Sequence, residues 1–557
     1  MSAAQAQGGE ASGLPLVTEQ KEGGRRPPLH TPADPARSWD YIVVGSGING
    51  LVAAAMLGKK GRKVLVLERN GRIGGCIRSD ELTALGFVHD TLATTFVLFL
   101  LGPAYAALGK DLEAYGLSFS HSDHPTGVLL ADGRALVFAK NRAANVAAFG
   151  ADGAAHSAEM DRLGANAPFL FSLLGGELWS RGMLKTMAQE LWRRGPRGLA
   201  GFFGEALVTA RAHLEQRYQS DLVQALWAPW VLHCGLGPES AYSGQMVKVI
   251  GFALEIAGAP IVTGGAQNLL AAFEKLIVSQ GGEIRVNADV ERVTINAAGK
   301  ASGVRLADGT VIAARQGVLC SMTPQQIYAR LLKDTPLPEP VREGLAQFRH
   351  GKGNMQIHYA LKTPPRWKTP GLEKVALLHL SPGLDGVSRA ANEAERGMLP
   401  AVPTICVGQP TALDPSRAPS GQAILWLQLP ECPRRIKGDA AGGIAVPEDG
   451  AWTEAVREAY AGRVEAILSH HIEDFRDTVI ARRALSPADL EALNINLAGG
   501  DPYGGSCSLD QFFLWRPFKG SVNHRTHVPG LYHIGASTHP GPGLGGGSGF
   551  LAASALR

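Results

Sequence analysis

The chain has little of what would make its chemistry self-evident. Its six cysteines among 557 residues, Cys76, Cys234, Cys320, Cys406, Cys432 and Cys507, lie far apart. No C-x-x-C pair exists, which argues against a zinc ribbon or a thioredoxin-type redox pair. The cysteines read as small core residues in a reducing compartment. No His, Cys or Asp cluster has metal-ligand spacing, so no metal is expected. The absence of a G-x-S-x-G elbow removes the corresponding hydrolase reading. Aromatic residues are only 7% and net charge is only +4, so nucleic acid is not an expected partner. Residues 1–37 lack the apolar core of a secretory signal, and Arg25-Arg26 lacks the apolar stretch of a twin-arginine signal. That segment reads as a disordered leader. Long apolar runs are scarce too. Thr91 to Gly109 carries no charge, but its length is borderline for a membrane span and Gly102-Pro103 interrupts it, so it reads as a buried segment near the cofactor, with a peripheral, lipid-facing entrance as the alternative.

What is present begins at Asp40. Tyr41 to Val44 is a β-branched run of the kind found in buried parallel strands. Gly45, Gly47 and Gly50 follow at G-x-G-x-x-G spacing. A helical segment runs from Asn49 to about Lys60 and stops at Gly61, and Lys63 to Leu67 is a second strand ending on Glu68. Each glycine has a physical task. Gly45 permits the tight turn, Gly47 lets backbone approach a pyrophosphate, and Gly50 lets the helix lie close on the sheet. The helix N-terminus would then offer free N–H groups to the phosphates. Glu68, eighteen residues after Gly50, is placed to accept both ribose hydroxyls of an adenosine, and a carboxylate there disfavours a 2′-phosphate. The unit therefore predicts a dinucleotide other than NADP.

Further along, Gly127 to Phe138 reads as a hairpin turning at Asp132-Gly133. Residues from Asn141 to about Ile256 are mostly helical in period. Within them Trp179, Met183, Leu184, Met187 and Leu191 share one helical face. Arg181, Lys185, Arg193, Arg194 and Arg197 make the stretch basic, which predicts either a membrane-surface contact or a solvated basic face. A helix over Leu269–Ser279 precedes short strands at Glu283–Val286, Val290–Ile295, Gly303–Leu306 and Gly317–Cys320. Strands at Asn354–Leu361 and Ala423–Leu429 and a helix over Thr453–His470 follow, then a strand over Gly530–Ile534 and a helix over Gly545–Ala555.

The terminal glycine cluster sets a trap. Gly541, Gly543 and Gly546 satisfy G-x-G-x-x-G literally, yet only eleven residues follow Gly546, too few for a strand and an acid to complete a second unit. A helix N-terminus aimed at the cofactor is the better reading, because it can stabilise negative charge on a reduced flavin ring. One complete dinucleotide unit, one terminal helix dipole and the doublet Gly74-Gly75 together predict FAD. Ser46, Asn49, Pro540 and Gly541 join the candidate cofactor contacts. His539, between a strand end and a helix start, is the candidate catalytic group. Arg516 and Asp510 are candidates for binding polar substrate groups or for a structural pair.

These motifs carry a resemblance. V-V-G-S-G-I-N-G-L-V-A-A (43–54), L-E-R-N-G-R-I-G-G (67–75), G-G-E-I-R-V-N-A-D-V (281–290), D-P-S-R-A-P-S-G (414–421), S-L-D-Q-F-F-L-W-R-P (508–517) and G-L-Y-H-I-G-A-S-T-H-P-G-P-G (530–543) resemble the phytoene desaturase-like flavoproteins of the amine oxidase superfamily. The 414–421 and 508–517 stretches look most like the branch holding flavin-type β-carotene ketolases and the pyridine nucleotide-disulfide oxidoreductase domain-containing protein 2 group. The resemblance implies an α/β fold: a Rossmann-type, glutathione reductase-like FAD-binding domain (38–125, 256–320 and 495–557) with a discontinuous α+β substrate domain (126–255 and 321–494). It maps Gly45, Gly47, Gly50, Glu68, Arg69, Gly74, Gly75, Val290 and Gly535 onto FAD-contacting positions. Ser537 replaces a glycine of the usual motif, and Cys320–Pro324 lacks the acidic residue usual there. The implied activity is oxidation or desaturation of a lipophilic, carotenoid- or isoprenoid-like substrate, with dioxygen or a quinone as acceptor. The implied setting is the cytoplasm, with a peripheral membrane contact as an option. A flavin-dependent isomerase without net redox and a non-enzymatic escort protein on the same fold are the rival readings.

Overall fold

Strand β1 (Trp39–Val44) is buried at every position. Tyr41 and Val43 face a core shared with helix α1 (Ile48–Lys59), while Ile42 and Val44 face a second core on the other side. This two-sided burial explains an apolar run without alternation. The computed structural model describes residues 38–556, so the expected leader, 1–37, lies outside the described residues. β1 pairs in parallel with β2 (Val64–Leu67) on one side and with Val311–Ser321 on the other. Glu283–Arg285 adds beyond β2, and Leu531–Ile534 adds beyond Val311–Ser321, both parallel. The sheet is completed by an antiparallel meander of Val290–Ile295, Ala301–Leu306 and the start of Val311–Ser321.

The expected short strand Gly317–Cys320 is thus the inner end of an eleven-residue strand. Its first half alternates between exposed and buried positions as a hairpin arm does, and Gly317–Cys320 is buried throughout as a central parallel strand must be. The alternation is diluted by Arg315-Gln316 in the sequence, which hides the continuity.

A second seven-stranded sheet has the order Val479–Leu485, Gly353–Leu361, Ala423–Cys432, Ile405–Gly408, Leu377–Ser381, Thr126–Leu130 and Ala135–Phe138. The expected hairpin at Asp132-Gly133 is its edge. Ile357, Tyr359, Leu425, Leu427, Leu378 and Leu380 pack one face beneath helix Glu454–His471 through Val456, Tyr460, Val464 and Leu468. The other face, through Val128, Cys406 and Trp426, meets the helices between 210 and 257. Thr91–Gly109 forms no span. Phe96, Phe99, Ala104 and Leu108 are buried in the α1 core, and no helix of the described residues is long and apolar enough to cross a membrane.

The 414–421 motif proves to be a buried clasp. Arg417 is fully buried; its Nε donates to Asp414 at 3.0 Å and its Nη2 to Asp90 at 3.1 Å and to the Val262 carbonyl at 2.7 Å. Asp90 in turn accepts from Ser79 Oγ and from the Ala266 N–H, and Asp414 from the Gly264 N–H. One guanidinium therefore ties segments 79–94, 262–266 and 414–417 together. Deleting one partner of such a group strands buried charge. Arg417→Met is expected to lower unfolding stability by about 3–5 kcal/mol, read by urea unfolding of the flavin-loaded protein; a loss below ~1 kcal/mol would show that the clasp is not needed.

Candidate active site

The glycine loop leaves β1 at Gly45, whose φ of +93° suits glycine. A Cβ on Gly50 would collide with the Gly45 carbonyl, so α1 lies directly on the turn. Gly47 differs. Its φ of −62° suits any residue, and a Cβ there would meet only Ser321 Oγ, at 4.0 Å. Neither backbone nor protein packing asks for glycine at Gly47; the open space beside it is what a pyrophosphate would fill. Gly47 caps α1 with no side-chain hydrogen bond, leaving first-turn N–H groups for an anion.

Ser46 joins the three parts of the motif. Its hydroxyl donates to Glu68 Oε2 at 2.6 Å and accepts from the Gly74 N–H at 3.1 Å, and its own N–H donates to the same Oε2 at 3.1 Å. Oε1 of Glu68 accepts from the Asn70 N–H at 2.9 Å. A carboxylate has about four acceptor sites, and three are filled by the protein. Glu68 is thus more an anchor of the loop than a carboxylate waiting for two ribose hydroxyls, and its open capacity lies on Oε1. Gly74 (φ +124°) and Gly75 (φ +60°) follow, and a Cβ on Gly75 would stand 3.1 Å from Gly47 Cα. Arg69 is exposed at the mouth.

Two expected contacts are engaged elsewhere. Asn49 Oδ1 accepts from the Gly549 N–H at 3.1 Å, so its side chain holds the terminal helix Gly547–Ala555 against α1. The Val290 carbonyl accepts from Arg330 Nη2 at 3.1 Å, the arginine that also pairs with Asp289 at 2.6 Å. In both cases a long-range donor, unseen in local spacing, takes the acceptor.

The far end of the site is built on residues 535–549. Gly535 (φ +114°) donates its N–H to Ser548 Oγ at 3.0 Å, and Thr538 Oγ1 lies 2.7 Å from the same hydroxyl. Ser537, standing where the resembling family has glycine, is accommodated: its hydroxyl donates to the Gly504 carbonyl at 2.7 Å. Gly541 (φ +107°) comes close to Phe512, which a Cβ would approach to 2.9 Å, and Pro540 packs toward Gly547. The terminal helix opens at Gly546 without a side-chain cap.

Arg516 organises this loop, a role the sequence did not assign. Fully desolvated, it donates to the carbonyls of Ala536, Tyr503 and Ser506 at 2.6–3.1 Å and lies over the Phe512 ring. It does not pair with Asp510, which binds Arg349 at 2.7 Å on the surface. The 508–517 motif signalled importance; only the fold shows that its arginine clamps 503–506 to 536.

His539 is buried. Its Nε2–H donates to the Gly176 carbonyl at 3.0 Å and Nδ1 has no partner among the described residues. Burial and the neighbouring His524 lower its pKa to about 4. It is a neutral imidazole at physiological pH, fixed by a carbonyl, and so a poor base for substrate.

Sequence reasoning also passed over the polar face of Gly353–Leu361. Met355, Ile357 and Tyr359 point into the core, and Asn354, Gln356 and His358 alternate with them, all buried. His358 Nε2 lies 3.2 Å from the Thr91 carbonyl, so this face looks toward the segment that follows the short strand His89–Asp90. Period-two polarity in a wholly buried strand was the available signal.

Two uncapped helix N-termini, a glycine cradle and a carboxylate anchor suit an anionic dinucleotide. The sequence profile described as flavin containing amine oxidoreductase matches residues 48–425, and the chain belongs to that family. Mouse pyridine nucleotide-disulfide oxidoreductase domain-containing protein 2 is 27% identical, over 92% of each chain. The neurosporene-forming phytoene desaturase of Rhodobacter capsulatus is 25% identical, over 92% of this chain and 93% of its own. Among solved structures, wild-type putrescine oxidase bound to putrescine superposes with a TM-score of 0.58 at 17% identity, covering 93% of this chain and 98% of its own.

Two outcomes follow. Gly47→Ala is expected to fold with an unfolding midpoint like wild type in the absence of flavin, yet to lose FAD at least about tenfold in affinity; Gly50→Ala is expected to lose both. Flavin fluorescence and apoprotein melting separate the cases, and an intact FAD affinity in Gly47→Ala would refute the cradle. Because the folded pKa of His539 lies below its ordinary 6.5, its contribution to stability is present above about pH 6.5 and lost as pH falls toward 4. The rate of flavin reduction should show no ionisation of His539 between pH 6 and 8, and His539→Gln should leave that profile unchanged.

Proposed function

We propose that this oxidoreductase desaturates or otherwise oxidises an apolar, carotenoid- or isoprenoid-like substrate, with hydride transfer to the flavin and dioxygen or a quinone as the final acceptor. The observation that carries the redox part is the intact cradle at Gly45, Gly47 and Gly50 with Glu68 anchored beside it. The similarity to a phytoene desaturase over nearly the whole chain supports the apolar substrate. Bound FAD supplies the two-electron acceptor. The chain's own residues position and enclose it. Ser46 and Glu68 hold the phosphate loop, Arg516 holds 536 against 503–506, and the terminal helix aims partial positive charge at the far end. His539 serves as an uncharged wall that excludes water and takes no proton. The division into an FAD-binding domain (38–125, 256–320, 495–557) and a substrate domain (126–255, 321–494) is supported by the two sheets, whose strands fall almost entirely in one set of segments or the other.

The membrane surface is the proposed source of substrate. Helix Arg181–Ala206 buries only Met183. Trp179 lies before it, beyond the N-cap Ser180, and Met183 turns inward, so the apolar face differs from the expected one. At 3.6 residues per turn, Arg181, Leu184, Lys185, Leu191 and Trp192 fall in one exposed sector. Leu184 is 72% and Trp192 91% exposed. Arg193 and Arg194 are instead tied to Glu190. Apolar anchors mixed with unopposed basic groups suit an anionic lipid interface.

Anaerobic mixing of the flavin-loaded protein with an acyclic polyene should bleach the flavin absorbance and yield product two hydrogens lighter. A product of unchanged mass would favour the isomerase reading, and a protein that takes up no FAD the escort reading. Leu184→Glu with Trp192→Glu is expected to reduce co-sedimentation with anionic phosphatidylglycerol vesicles at least about tenfold while sparing FAD; unchanged sedimentation would remove the membrane contact.

A further inference from the structure

Far from the glycine loops in sequence, three soft ligands converge on the second sheet. His379 and Cys406 stand directly opposite across the antiparallel pair Leu377–Ser381 and Ile405–Gly408. Opposed residues share a face with Cβ atoms roughly 5 Å apart. The short 3-10 turn Ala228–Cys234 lays His233 over them, with its Nε2 2.9 Å from Nε2 of His379. One ligand atom from each of the three lies within 4.8 Å of the others. His379 and Cys406 are fully buried and His233 is half-buried, so the cluster has a closed floor and an open lip. The Trp230 ring packs against both imidazoles, at 5.0 Å from His379 and 4.8 Å from His233, and fixes their planes.

Between two neutral rings one Nε2–H serves one lone pair, and Nδ1 of His379 has no partner among the described residues. Moving that Nε2 proton to Nδ1 of its own ring would leave both Nε2 lone pairs free for a cation with both imidazoles still neutral. The thiol would lose its proton to water, so that cation plus thiol gives a metal–sulfur bond and one released proton. Charge decides the valence: one thiolate neutralises one positive charge, and a divalent ion would leave a net charge in a desolvated place. Thiolate with imidazole also suits a soft ion.

We propose that His233, His379 and Cys406 form a three-coordinate site for a soft monovalent cation of the Cu(I) class. Spacing along the chain concealed it, because 146 residues separate the two histidines and only strand register brings the cysteine beside them.

The test uses the flavin-loaded protein under anaerobic reducing conditions, titrated with Cu(I) in competition with the chromophoric chelator bathocuproine disulfonate. Wild type is expected to withdraw one equivalent per chain with release of one proton. His233→Ala and Cys406→Ala should each weaken uptake at least about tenfold, with flavin absorbance confirming that they are folded. Cys432→Ser, a buried thiol of the same sheet, should behave as wild type. If Cys406→Ala loses its flavin, His233→Ala decides alone. The proposal is overturned if wild type withdraws no Cu(I), if folded His233→Ala withdraws it as wild type does, if Cys432→Ser loses it equally, or if Zn²⁺ is held as tightly as Cu(I).

Discussion

The cofactor end rests on backbone pressed against backbone. Gly50 lies on the Gly45 carbonyl and Gly549 on the Asn49 carbonyl, each so close that a Cβ would collide. These two contacts bring the N-terminus of α1 and that of the terminal helix side by side. Asn49 lies between them: its backbone carbonyl makes one contact, and its side-chain oxygen accepts from the Gly549 N–H. Lys60 ties the opposite ends, donating to the carbonyls of Ala553, Ser554 and Leu556. Two helix dipoles are thus clamped in parallel, and their partial positive ends converge where an anionic dinucleotide is held.

The parts legible in the sequence were those whose geometry is local. The strand–glycine–helix–strand–acid unit needs only its own spacing, and β1, α1 and β2 stand within a residue or two of their expected bounds. In the terminal cluster, the expected helix start stands at Gly546, before the helix Gly547–Ala555. Less legible were the contacts that the protein itself makes at those positions. Glu68 has the right position, but Ser46 and Asn70 take three of its acceptor sites; Asn49 and Val290 give their oxygens to Gly549 and Arg330. Trp179 has helical periodicity with its neighbours, yet Ser180 caps the helix after it by accepting from the Met183 N–H. Arg417 and Arg516 sit in motifs conspicuous as words, but a buried guanidinium's partners come from segments far apart in the chain. Register and burial, which set those partners, are tertiary facts.

The two guanidiniums solve the same electrostatic problem differently. Arg417 is neutralised by Asp90 and Asp414 and has a fixed place in a charge triad. Arg516 donates instead to main-chain carbonyls and lies over an aromatic face, with the buried Asp501 carboxylate near enough to favour its charge without a direct ion pair. Placed behind Ala536, one residue from Gly535, that charge adds to the field of the terminal helix. Around it the histidines are kept neutral by burial: His533 and His539 both fall to about 4. The far end of the site therefore sets one buried cation beside two imidazoles, His533 and His539, whose burial disfavours a further positive charge.

The bond between Asn49 and Gly549 spans 500 residues. Neither the strand Leu531–Ile534 nor the helix that completes the cradle exists until almost all of the described chain has left the ribosome. During synthesis the glycine loop and Glu68 emerge early and wait, their partner helix still unmade, while the second sheet can assemble from segments already available. The cradle for the flavin is therefore complete only when the terminal helix has docked on α1.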